Sequence, residues 1–292
     1  MKKDRRALAG TILKTIPVTD KITMLQFDQG NVTLFIGEEG TLMVDSQFKE
    51  SSLPIQKKIE ELGGKSVNYL INTHWHDDHV EGNEFFGKTA TIIAHQDVRL
   101  HLNTYQELIG IYGEIQKFPP KEEYALPQIT FETSLSIFFN QDEVRVIHFP
   151  YGADTSGDCI VWFVNSGVVV TGDVFYTETF PWVDFERGGD AIGRANTLYD
   201  LIALIPADTK IISGHGTLAS VKELKIFHAM IRDTLLYVRK KMDEGLSLQE
   251  IQALGLPEQY KHWDDGVYVS ESLWIEFLFK SWQMGKTQLK TT

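Results

Sequence analysis

Ser66-Val67-Asn68-Tyr69-Leu70-Ile71-Asn72-Thr73-His74-Trp75-His76-Asp77-Asp78-His79 reads as a short apolar strand running into a cluster of imidazoles and carboxylates. Positions 74–79 carry neither the alternation of a strand nor the apolar stripe of a helix, so packing does not ask for them. Metal ligation does, because imidazole nitrogen and carboxylate oxygen both suit Zn²⁺ and its first-row neighbours. In an extended turn, residues two apart point the same way, so His74 and His76 are placed to hold one ion. Asp78 and His79, just beyond, face the other side and can serve a second. An exposed His-rich loop is the bland alternative, and a position directly after a buried strand argues against it.

Outward from this stretch the chain alternates strands and helices. Thr23–Phe27, Asn31–Ile36 and Thr41–Asp45 read as antiparallel strands broken at Asp28-Gln29-Gly30 and Glu38-Glu39-Gly40. Ser52–Leu62 is a helix with Pro54 in its first turn, Ile55, Ile59 and Leu62 on one face, and Gly63-Gly64 as its stop. A short helix is expected over His79–Phe86, a buried strand over Thr91–Ala94, and a mixed segment between Gln96 and Pro127 that either shapes a pocket or covers a sheet. Then come strands at Leu135–Phe139, Val144–Phe149, Cys159–Val164 and Val168–Thr171, a helix over Arg194–Ile205, a strand over Lys210–Ser213, a long helix over Ala219–Met242, and a last helix near Ser270–Gln283. Trp274, Phe277, Leu278 and Trp282 share one side of that last helix. This order predicts an α+β fold, two sheets sandwiched between helical layers with a metal cleft along one edge. One domain over 1–292 is expected, with two pseudo-halves, about 20–150 and 151–292, and a helical tail from about 219.

The motif H-x-H-x-D-H, placed after a strand and before a helix, resembles the signature of the metallo-β-lactamase superfamily, whose fold is the four-layer αββα sandwich. The resemblance extends from about Thr23 to Leu218. It implies that Asp45, closing an apolar strand, buttresses the metal loop. It places a bridging carboxylate at Asp173 in Thr171-Gly172-Asp173, and a further ligand at His215 in Ser213-Gly214-His215-Gly216. The segment Gly152-Ala153-Asp154-Thr155-Ser156-Gly157-Asp158 matches the family's Gly-x-His-Thr-x-Gly-Asp except that Asp154 stands where the family has histidine. The expected ligands are therefore His74, His76 and Asp154 for one ion, and Asp78, His79 and His215 for the other, with Asp173 shared. His148 is expected to point elsewhere, and Asp158 to hold its loop. Tyr176, three residues after Asp173, resembles a tyrosine of acyl-homoserine lactone lactonases and is expected to polarise a carbonyl or line the pocket.

The resemblance implies a hydrolase that uses two divalent ions, zinc first and iron or manganese next, on a lactone, ester, thioester or β-lactam, with Asp78 orienting the nucleophile or taking its proton. A His/His/Asp donor set also suits iron, so an oxidoreductase similar to persulfide dioxygenases is the alternative, and a site-degenerate binding protein a third. The formal charge of −12 over 292 residues disfavours nucleic-acid binding, which leaves a small-molecule substrate as the expected partner. Cys159 is the sole cysteine, so no intrachain disulfide forms. The basic start Met1–Arg6 lacks a long apolar sequel, which reads as cytoplasmic, although a chain whose export signal had been removed would read the same.

Overall fold

The structure, a computed structural model, describes residues 8–109, 115–177, 179–266 and 268–290. They fall into two compact units, one holding 8–148 and 159–166 and the other 149–158 and 167–290.

The first unit begins with a meander of four antiparallel strands, β1 (Lys14–Pro17), β2 (Ile22–Gln26), β3 (Val32–Gly37) and β4 (Gly40–Val44). Helix α1 (Ser52–Glu61) then crosses over to β5 (Val67–Ile71), which lies parallel to β4. Two one-turn helices, α2 (Asp77–Val80) and α3 (Asn83–Phe86), stand where one was expected, and lead to β6 (Thr91–His95). The segment after β6 is helix α4 (Gln96–Leu102), a hairpin of β7 (Gln106–Ile109) and β8 (Ile115–Phe118), and a strand β9 (Ile129–Phe131) that closes the sheet in the order β1-β2-β3-β4-β5-β6-β9. β3 and β4 are central and apolar on both faces, as strands covered on both sides must be.

One face of this sheet packs Leu34, Met43 and Leu70 against Ile55 and Ile59 of α1, the pair that the helical spacing marks. The opposite face meets β10 (Ser134–Phe139), β11 (Asp142–His148) and β12 (Cys159–Phe163), which pair antiparallel in that order. Phe35 sets its ring 5.1 Å from Phe163, and Tyr69 sets its ring edge-on to Phe139 at 5.3 Å. Asn140 and Gln141, at φ 51° and 65°, make the two-residue left-handed turn between β10 and β11 whose twist suits a hairpin. Trp75 lies with Val80, Ala94, Val98, Leu102 and Leu126 in a separate apolar cluster, so α4 packs beneath the metal loop.

In the second unit β13 (Val168–Val170) runs parallel to β14 (Lys210–Ile212), and β14 pairs antiparallel with β15 (Leu218–Ser220). Helix α5 (Ala191–Leu204) begins three residues before the expected start. Helix α6 (Val221–Asp243) begins later than expected, because residues 218–220 are strand. Ser220 sits in extended backbone and forms a reciprocal capping box with Glu223, so the helix cannot begin before it. After α7 (Leu248–Leu254), helix α8 (Glu271–Met284) buries Trp274, Phe277 and Leu278. The Trp274 indole donates to Thr234 Oγ1 at 3.2 Å and the Trp282 indole to Leu235 O at 2.9 Å, fastening α8 on α6. No helix of the described residues is long and apolar enough to cross a membrane.

The Asn140 turn is also a clamp. Its side-chain oxygen accepts from Glu39 N at 3.0 Å, its amide donates to Gly40 O at 3.1 Å, and its carbonyl accepts from Lys21 Nζ at 2.9 Å. A Cβ on Gly37 would approach Asn140 to 2.5 Å, so that glycine makes room for the clamp. Asn140→Ala loses two side-chain hydrogen bonds and the residue type that tolerates a left-handed backbone. It should lower stability by about 2–3 kcal/mol, read as a lower urea midpoint at unchanged slope.

Candidate metal centre

The metal loop leaves β5 at Asn72 and is held by buried polar groups before any ion is considered. Asp45, at the end of β4, has a left-handed φ of 60°. Its Oδ1 accepts from Thr73 N at 2.8 Å, and its Oδ2 accepts from Thr73 Oγ1 at 2.8 Å and faces His79 Nδ1 at 2.8 Å. Burial raises the Asp45 carboxyl above the usual range, and the neighbouring His79 and the Thr73 hydrogen bonds pull it back. With Nδ1 of His79 turned to a carboxylate, Nε2 is the nitrogen left for an ion, the carboxylate–histidine–metal pattern of many metal sites. Asn72 and Asn83 exchange a pair of amide hydrogen bonds at 3.1 and 2.8 Å, and Ser46 N and Oγ both donate to His79 O, at 2.8 and 3.2 Å.

His74 and His76 turn to the same side, as their spacing predicts. His74 Nε2 stands 3.1 Å from His76 Nδ1. Two nitrogens each about 2.0–2.1 Å from one ion, at tetrahedral to octahedral angles, stand roughly 2.8–3.4 Å apart. The pair therefore fits a shared cation. Asp78 and His79 occupy the one-turn helix α2, both buried, with Asp78 Oδ2 3.8 Å from His79 Nε2. Sequence reasoning treated Gly30 only as a turn residue, yet it belongs here. Its N–H donates to Asp78 Oδ2 at 3.3 Å, and a Cβ on it would come within 2.8 Å of His79 Nε2. His148 stacks on His95 at 4.0 Å, which agrees with its expected place at a strand end.

In the second unit Asp158 organises the loop that carries Asp154. It accepts from the backbone N–H of Ala153, Asp154 and Thr155 and from Thr155 Oγ1, at 3.1, 2.6, 3.0 and 2.7 Å. Burial first, and the charge of Asp154 second, push Asp158 up to about 7. Asp154 itself meets a residue that sequence reasoning missed: its Oδ1 accepts from Arg194 Nη2 at 3.0 Å, and both side chains are 0 % exposed. A mark of Arg194 was present in Gly-Gly-Asp-Ala-Ile-Gly-Arg, whose glycines let a helix start lie close to another segment, although an arginine in a first helical turn normally reads as solvated.

Asp173 sits in a single 3-10 turn after β13. Its Oδ2 accepts from the Tyr176 hydroxyl at 2.6 Å and lies 3.2 Å from His215 Nε2. The Tyr176 ring stacks on His215 at 4.9 Å and 4°. Burial, then the Asp173 charge, hold the Tyr176 phenol well above its ordinary range, so it remains a donor. Tyr176, expected to polarise a carbonyl or line the pocket, is 1 % exposed and directs its hydroxyl at Asp173. Tyr268, not singled out in the sequence, sets its ring 5.8 Å from that of His215. Gly214 is required by proximity, since a Cβ there would stand 2.1 Å from Asp173 Oδ1.

These contacts rank the supporting residues. Asp45→Asn keeps the shape but no longer supplies the anion that sets the tautomer of His79. It should weaken divalent-metal affinity by roughly 10–100-fold in a chelator-competition titration. Gly214→Ala should weaken it comparably by displacing Asp173, while far-ultraviolet circular dichroism stays unchanged. Wild-type affinity in both variants would show that neither residue supports a metal centre.

Residues 25–216 match the model of the Metallo-beta-lactamase superfamily. Among curated proteins, a hydroxyacylglutathione hydrolase of Rhodospirillum rubrum is 28 % identical over 162 residues, covering 56 % of this chain and 53 % of that protein. Among solved structures, a stereoselective inverting sec-alkylsulfatase from Pseudomonas sp. superposes with a TM-score of 0.69 at 15 % identity, over 91 % of this chain and 49 % of that one. A metallo-beta-lactamase from Pontibacter korlensis superposes with a TM-score of 0.61 at 15 % identity, over 75 % of this chain and 98 % of that one. This chain thus spans about half the length of the hydrolase and of the sulfatase. At such identities the solved structures speak for the fold alone, and that fold is the α+β, αββα class expected from the element order. With the family model matched over most of its length, the chain belongs to the metallo-β-lactamase superfamily.

Proposed function

We propose that this protein is a metal-dependent hydrolase that binds two divalent cations, zinc in the first instance, and opens an acyl bond in a small molecule. The observation that carries this reading is the placement of His74 Nε2 and His76 Nδ1 3.1 Å apart, beside a His79 whose other nitrogen is turned to Asp45. In this reading, which follows the family resemblance, His74, His76 and Asp154 would hold one ion, Asp78, His79 and His215 the other, and Asp173 would serve both. When bound, the ions lower the pKa of water toward neutrality and polarise the carbonyl that it attacks.

The chain's own residues supply the rest. Asp78, a buried carboxylate that accepts from Gly30 N, would orient the nucleophile or take its proton. Tyr176 keeps its proton and donates to Asp173, which fixes the rotamer of that carboxylate and leaves Oδ1 clear of the tyrosine. Asp45 keeps His79 in one tautomer throughout. Hydrolysis is the chemistry that the name of the similar hydroxyacylglutathione hydrolase gives, and thioesters, esters, lactones and β-lactams are all bonds opened by such attack of water on a carbonyl.

Protein purified without added metal should carry close to two divalent ions per chain by mass spectrometry. A chelator should abolish hydrolysis of at least one member of a thioester, ester, lactone and β-lactam panel, and zinc should restore it. His76→Ala should lower kcat/KM by about 100-fold or more. Activity that survives complete metal removal would sink the proposal. Iron as the native metal, with oxygen uptake on a persulfide substrate, would replace it with the oxidoreductase reading.

A further inference from the structure

Arg194 is the least expected charge in the molecule. It lies in the first turn of α5 and is 0 % exposed. Its Nη2 donates both to Asp154 Oδ1 at 3.0 Å and to Trp182 O at 2.6 Å, and Nε and Nη1 find no hydrogen-bond partner among the described residues. The face of Tyr176, 5.7 Å from Cζ, takes up part of the charge. A buried guanidinium with donors left over is a poor device for stability, since an apolar side chain of similar volume is often as good or better. Something other than packing accounts for it, and its ion-pair partner among the described residues is Asp154.

The docking of α5 supports the same conclusion independently. A Cβ on Gly193 would stand 2.1 Å from Tyr151 O and 2.3 Å from Gly152 O, and one on Gly189 would stand 2.2 Å from Asp154 O. The start of the helix therefore lies against the 151–154 backbone, an approach that only glycine permits, and this brings Arg194 to Asp154. The other side of that loop is tied to Asp158 by the Asp154 N–H at 2.6 Å. Backbone and side chain of Asp154 are thus each held by a separate group.

Charge completes the argument. Asp154 stands where the superfamily motif has a neutral imidazole, so the exchange adds one negative charge. Arg194 adds one positive charge in contact with it. The guanidinium engages Oδ1 through a single nitrogen, a one-oxygen contact that does not use Oδ2. We infer that Asp154 and Arg194 act as one unit in place of the histidine. Arg194 is a positioning residue that fixes Oδ1, turns Oδ2 to the role of ligand, and draws off enough charge that the carboxylate donates to an ion much as an imidazole would. This rests on the two-ion reading above.

The test compares wild type with Arg194→Met, Arg194→Lys, Asp154→His and the double variant Asp154→His/Arg194→Met. Each is titrated with Zn²⁺ against a chelator, and with Co²⁺ followed by visible absorption. Wild type should bind two ions. Arg194→Met should lose affinity for one of them by roughly 10–100-fold and change the Co²⁺ spectrum, while Arg194→Lys, which can still hold one oxygen, recovers most of both. Asp154→His alone leaves the guanidinium beside an imidazole and should bind that ion as weakly as Arg194→Met. The double variant should regain two-ion binding. Should Arg194→Met fail to fold, the lysine and double variants decide in the same way.

Wild-type affinity and spectrum in Arg194→Met, with only the melting temperature lowered, would make Arg194 purely structural and overturn the inference. Tighter binding in Arg194→Met would overturn it in the other direction, with the guanidinium competing against the ion. A wild-type protein that binds no divalent ion at all would instead remove the hydrolase reading and this inference with it.

Discussion

A single buried carboxylate, Asp45, governs the first unit. Its two oxygens gather a backbone N–H, a hydroxyl and an imidazole from positions 73 and 79, and thereby join the end of β4 to both ends of the metal loop. A carboxylate in such a place is costly to bury unless every oxygen is satisfied, and three partners at 2.8 Å satisfy it. The left-handed backbone at Asp45 is a second cost that the surrounding contacts hold in place. Loop shape and histidine tautomer are therefore set by the same group, before any metal contributes.

The second unit repeats the device with different parts. Asp158 draws the Ala153, Asp154 and Thr155 N–H groups around its carboxylate and makes a compact anion-centred loop. The two carboxylates differ in a way that matters. Asp45 has an imidazole beside it to offset its charge, whereas Asp158 has a second carboxylate, Asp154, which drives it up to about 7. Without a counter-charge the loop would hold two buried anions four residues apart. Arg194 supplies that counter-charge on Asp154, so the loop around Asp158 and the arginine on α5 are parts of one electrostatic arrangement.

How far the sequence disclosed all this depends on the kind of signal. The stretch at positions 74–79 stood out because its composition has no packing rationale, and Asp173 and His215 were singled out by strand-end glycine motifs joined to a family resemblance, which the family model bears out as a resemblance. Asp45 and Asp158 were placed by the same route, and their hydrogen bonds are as expected. Arg194 was not legible, because burial of an arginine is decided by a partner forty residues away in the chain, and its own helix periodicity points nowhere unusual. Gly30 was hidden for a similar reason: a Gly in a turn has many explanations, and only three-dimensional closeness to His79 selects this one. The start of α6 was misplaced because Leu218, Ala219 and Ser220 have no strand signature of their own and are strand only by pairing with β14.

Motif departures are therefore best weighed by charge as well as by ligand type. An aspartate in place of a ligating histidine, taken alone, reads as decay or as a change of metal, since the carboxylate is shorter and carries a charge the imidazole lacks. Read with a buried arginine on the same oxygen-bearing carboxylate, the departure leaves the local charge where a neutral ligand would put it. Asp154 and Arg194 then form one electrostatic pair, and neither is interpretable by itself. With an apolar residue in place of Arg194, this chain would hold an uncompensated anion on Asp154 beside Asp158, which burial penalises. In this chain the Arg194 charge in contact with Asp154 is what keeps the loop around Asp158 from holding two unbalanced buried anions.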